Sequence, residues 1–132
     1  MSEMNPMHEE LLALIDRELL SWPGISKETR GTDVTPGIDV TICWLGRRPI
    51  GHIHHDGVAD VQFSKALHDE LIAADRAEPH RGGFAAVVSY PFRQPGDVPE
   101  VLDLFRLSYD RLMARATPAA EVSTAAGGGQ PE

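Results

Sequence analysis

The segment Gly51 to Asp60, GHIHHDGVAD, places three of the chain's six histidines within four positions. On a strand, His52 and His54 point to one face while Ile53 points to the other. Such a pair can exchange protons near neutral pH without a metal. Asp60, and His80 in a later loop, would then complete a proton-handling cluster. A zinc site would need three or four ligands about 2 Å from the ion, with His80 or Asp60 supplying the remainder. The third reading is that both imidazoles are partly exposed and bond only to water. His55, in a turn, and His68, on the outer side of a helix, fit that last reading best. All three readings stay open on the residues alone, and no metal ligand set is assigned. A cupin would carry a glutamate shortly after its histidine pair, and a histidine-triad hydrolase would alternate its histidines with apolar residues. Neither pattern fits here.

Other reactive candidates carry less. No G-x-S-x-G surrounds any serine, so Ser89 in VVSYP reads as an ordinary strand residue. RGGF and AAGGG lack the strand-to-helix context of a phosphate loop. Arg47 and Arg48 suit one anionic group, and a charged hairpin tip explains them equally well. Trp44, Phe84, Phe105 and Tyr109 read as core. Cys43, the single cysteine, lies in the apolar run VTICWL and reads as a small buried hydrophobe.

The elements that must position these residues are legible from periodicity. A first helix starts at Asn5 and Pro6, with Glu9 and Glu10 near its positive end and Leu11, Ile15 and Leu19 on one face. SWPG stops it. Residues 25–36 read as a loop or a weak strand. IDVTICWL alternates with period two, GRR turns, PIGHIH returns, HDG turns again, and VADVQF makes a third strand. Ser64 caps a second helix bearing Leu67, Leu71 and Ala74. FAAVVSY reads as the strongest, central strand. Asp97 caps a last helix with Glu100 as its capping-box partner and Val101, Phe105, Ser108 and Leu112 as its inner row. Tight turns make neighbouring strands antiparallel. The fold class is therefore α+β: a two-layer sandwich of an antiparallel sheet with helices on one face, in the order helix, β-meander, helix, strand, helix. Residues 1–115 form one domain, and 116–132 form a disordered tail.

With 132 residues and 42% hydrophobic content, the chain has enough apolar mass for one core. A formal net charge of -8 argues against a nucleic-acid partner or an anionic membrane surface. No apolar run approaches the ~20 residues of a membrane span. The N-terminus lacks signal-peptide order. The expected location is the cytoplasm, and oligomeric state is left unspecified.

Taken together, SWPG, GRRPIGHIHHDGVADVQF, LIAADRAEPH and FRLSYDRL resemble the small bacterial luciferase-domain, or luciferase family, proteins. The resemblance runs from about Leu11 to Leu112. Its most specific part covers Gly51, His52, His54, Asp60, Phe63, Ala77, Glu78, Pro79 and His80. One departure is GGF at Gly82 to Phe84, where Ser-Gly-Trp is expected. The family takes its label from similarity to the fungal luciferase, which oxidises a hydroxylated hispidin with oxygen and no flavin. The resemblance thus implies a small-molecule-binding protein with oxygenase-type chemistry on an enolisable aromatic or pyrone-like compound, without a cofactor. It implies His52 and His54 as catalytic base and orienting partner. His80, Asp60, Glu78 and Phe84 would contact substrate, and His80 would hold its oxygen. A non-catalytic interaction module and a histidine-based metal-binding protein are the alternatives. The element order is also loosely similar to the YjbR-like and CyaY-like folds.

Overall fold

A computed structural model describes residues 6–31, 38–80 and 82–116. Helix α1 (Pro6–Leu20) leads into β1 (Ile25–Gly31), β2 (Asp39–Leu45), β3 (Arg48–His54) and β4 (Val58–Gln62). Helix α2 (Lys65–Ala73), β5 (Glu78–Pro79), β6 (Val87–Pro91) and helix α3 (Asp97–Ala116) follow. The strands form one sheet in the order β1-β2-β3-β4-β6-β5, with every neighbouring pair antiparallel. This is the expected α+β arrangement. Asn5, and all of the expected tail beyond Ala116, lie outside the described residues. No helix among the described residues is long and apolar enough to cross a membrane.

The helices and one face of the sheet share a core. Leu11, Ile15 and Leu19 of α1 and Val101, Leu104 and Phe105 of α3 are buried with Ile53, Ala59, Val61 and Val88 of the sheet. Leu71 carries α2 into the same cluster. At β3 the pairing slips: Cys43 faces Gly51, but Trp44 faces Pro49, leaving Ile50 unpaired. This bulge brings Ile50 into the core out of strict alternation, fully buried. Gly51 is needed on the same face. A Cβ there would lie 2.7 Å from Phe105 Cε1 and 2.6 Å from the Asp60 carbonyl oxygen.

The structure decides one sequence expectation left open, loop or weak strand at 25–36, and corrects two others. Residues Ile25–Gly31 form a full seven-residue strand, although nearly all of its side chains are exposed. As an edge strand it is held by its ladder to β2 and needs no apolar face. The strand expected at FAAVVSY begins only at Val87, because Phe84 closes a turn onto the Val87 amide. It is also not central, having only the two-residue β5 on its outer side. Finally, Asp97 does not reach forward into α3. Its carboxylate accepts the amides of Arg93 and Gln94 and so fixes the loop that enters the helix. Ser64, by contrast, accepts the Leu67 amide at 3.2 Å, as an N-cap should.

Candidate functional site

The face of the sheet turned away from the helices carries the histidines. Direct register aligns Ile42, His52, Asp60, Ser89 and Glu78 across β2, β3, β4, β6 and β5. Because facing residues of an antiparallel pair share a side, this is one row on one surface. His54 lies two residues along β3, diagonal to Asp60 and within reach of its carboxylate.

Asp60 is the centre of the cluster. Its side chain is only 2% exposed, and each carboxylate oxygen is engaged. Ser89 Oγ donates to Oδ1 at 2.6 Å. His54 Nε2 lies 2.9 Å from Oδ2, and His80 Nε2 lies 3.4 Å from the same oxygen. Burial works against ionisation here, but hydrogen bonds from His54 and Ser89, with the nearby His54 and His80 rings, outweigh it. The carboxyl is held below its ordinary value, so at neutral pH it is a carboxylate and the imidazole N–H groups are its donors. The His80 tautomer follows independently. Its Nδ1 accepts the Gly82 amide at 2.8 Å, which leaves the ring proton on Nε2, towards Asp60.

His52 differs from its neighbours. It makes no hydrogen bond to the described residues, and its ring centroid lies 6.4 Å from that of His54. Burial lowers its pKa from the ordinary 6.5, against an opposing pull from Asp60; the neighbouring His54, His80 and Arg30 lower it further. The ring is therefore neutral at physiological pH. It faces a cavity of about 510 Å³, lined also by Gln62, His80, Phe84, Ala86 and Val87. Phe84 stacks at a tilt of 51° on His80, 5.1 Å between centroids, while remaining 65% exposed. Gly82 belongs to this corner too: a Cβ there would sit 2.9 Å from His80 Cε1, which suits glycine where serine was expected.

The structure thus gathers His52, His54, Asp60 and His80 on one face, but in different settings. His52, His80 and Phe84 line the cavity. Asp60 lies beneath the imidazoles, shielded from any ligand. Glu78 is exposed beside Tyr90 in a separate depression and does not line the histidine cavity. Phe84, read as core from its residue type, is a surface wall, and Trp44 is half-buried with its indole N–H on Glu28. His55, read as a solvated turn residue, has Nε2 2.7 Å from the buried Thr41 hydroxyl. Among the described residues, no group of three or more His, Cys, Asp or Glu side chains is arranged to hold a metal ion. Ser89 was missed. Its signal was a lone serine in a largely apolar strand, and only the strand register reveals its partner.

Residues 47–108 match the family model described as Luciferase domain. This stretch of the chain is similar to a luciferase domain. The match runs from the β2–β3 turn to the middle of α3, so it includes every member of the histidine cluster. No curated protein and no solved structure matches the chain.

Proposed function

We propose that this domain binds a small enolisable aromatic or pyrone-like compound and oxygenates it without a cofactor, with His52 as the base. The observation that carries the reading is an unbonded, neutral imidazole in a cavity, directly opposite a buried carboxylate. His52 takes the enol or phenol proton. The Asp60 carboxylate across the strand pair favours the imidazolium that results. The substrate anion, now electron-rich, gives an electron pair to molecular oxygen: a C–O bond forms as the O–O π bond breaks, and the resulting peroxide takes the proton held on His52 to leave a hydroperoxide. His80, held by Gly82 and Asp60 and packed on Phe84, presents a fixed ring edge to the substrate. His54 braces Asp60 and acts as a positioning residue.

The test is oxygen consumption by the whole chain with a panel of hydroxylated pyrones and phenols. We expect turnover by the wild type and a loss of roughly 100-fold or more in His52→Ala, the scale of a positioned base. Binding of the same compound, followed by thermal shift, should survive that substitution. Oxygen uptake unchanged in His52→Ala would sink the catalytic assignment. The second reading, a non-catalytic ligand-binding module, is favoured by the saturated hydrogen bonding of Asp60, which suits a static scaffold. It predicts saturable binding with no oxygen uptake by any variant.

A further inference from the structure

A second cavity, of about 220 Å³, lies where the end of α3 meets the β2–β3 turn. Arg48 reaches it from the start of β3, and Arg111 and Arg115 reach it from successive turns of α3. Gln62, Phe63 and Leu112 complete much of the wall, and no acidic residue among the described residues lines it. This is an unusual concentration for a chain with 12 basic and 20 acidic residues. Four of the other cations are neutralised singly: Arg30 pairs with Glu28, Arg106 with Asp110, Lys27 with Asp16 and Lys65 with Asp69. Arg48, Arg111 and Arg115 have no hydrogen-bond or ion-pair partner among the described residues.

Three unpaired guanidinium groups around one small cavity repel one another, and the apolar wall of Phe63 and Leu112 strengthens that repulsion by excluding water. The negative end of the α3 dipole accounts for Arg115, in the last turn. It does not account for Arg48, which arrives from a different element. An anion between the three would convert repulsion into attraction. Guanidinium forks match the paired oxygens of a phosphate.

We propose that this cavity is a binding site for a phosphate group, free or carried on a small phosphomonoester. It shares only Gln62 with the histidine cavity and does not depend on any chemistry there. The test uses the whole chain, following the arginine Nε–Hε resonances by NMR during titration with inorganic phosphate and, separately, phenyl phosphate. Ionic strength is matched throughout with chloride. We expect saturable shifts confined to Arg48, Arg111 and Arg115. Affinity should fall about tenfold in both Arg111→Gln and Arg48→Gln, as loss of one charge-assisted fork implies. Arg48 is exposed, so its variant should keep the wild-type melting temperature and report binding alone. Arg17→Gln, on the exposed surface of α1, should bind normally. Tighter binding of phenyl phosphate assigns an ester as the ligand, and equal binding assigns the free ion. No saturable shift, or equal weakening by Arg17→Gln and Arg48→Gln, would overturn the proposal.

Discussion

A carboxylate as enclosed as Asp60 survives in ionised form only because its oxygens are met by donors. That dependence gives the molecule an acid-sensitive stability with a definite sign. Asp60 has a folded pKa below its ordinary 3.8, so its contribution is complete above that value and is lost as pH falls through the lower folded one. His52 is also depressed, from 6.5, so its contribution begins to fade below that pH, where the unfolded chain takes up its proton first. We expect urea stability to decline on acidification in two stages, one starting near pH 6.5 and one below 3.8. His52→Ala should abolish the first stage. Ser89→Ala removes one donor from Asp60, so it should cost about 1–3 kcal/mol at neutral pH and bring the second stage to higher pH. An acid limb in Ser89→Ala that superimposes on the wild type would refute this account of Asp60. Cys43 shows the opposite case, an uncompensated buried group. Burial, then the charge of Asp16, pushes its thiol up to about 12, so it acts as core rather than as a nucleophile.

At the scale of elements, the β3–β4 hairpin decides where the imidazoles stand. Two glycines bracket it for steric reasons. Gly51 lets Phe105 of α3 rest directly on β3, and Gly57 turns the chain at φ +106 with the Phe92 carbonyl oxygen 3.0 Å from where a Cβ would be. Backbone and a fully buried ring cannot yield easily, so Gly51→Ala should cost roughly 3 kcal/mol, at the upper end of overpacking. Because α3 would lift from β3 beneath the histidines, we also expect altered His52 and His54 imidazole resonances. A Gly51→Ala protein as stable as the wild type would contradict the close approach of Phe105. The meander, α2 with its Ser64 cap and the inner row of α3 were legible because each shows a local period or cap. The polar edge strand β1 was legible only as a loop or a weak strand, since its only structural requirement is a ladder with β2, and a ladder leaves no pattern in side-chain type. Asp97 misled for a related reason: an aspartate before a helix can bond forward or backward, and the sequence looks the same.

At the scale of the whole molecule, one core joins all three helices to the sheet. Tyr109 of α3 donates to the carbonyl of Pro23 at 2.7 Å, tying that helix to the turn after α1. Trp22 and Tyr109 are packed there, with the Arg106 guanidinium 5.0 Å from each ring centroid. With long-range ties of this kind, no element has a core of its own to retain. Urea unfolding followed by Trp fluorescence and by circular dichroism should therefore give coincident single transitions. Two separated midpoints would show that α1 and its neighbours form an independent unit.

Local patterns alone determined the α+β class, the helix-and-meander order, the shared face of His52 and His54, and the candidacy of Asp60 and His80. These follow from periodicity and residue type, which act over a few neighbours. Tertiary structure decided the rest. Register set Asp60 between His52 and Ser89, the Gly82 turn aimed His80 at the same carboxylate, and helix docking brought Arg48 to Arg111 and Arg115. Each of these depends on contacts between residues distant in the chain, and the free energy of such contacts has no imprint on any short stretch of sequence.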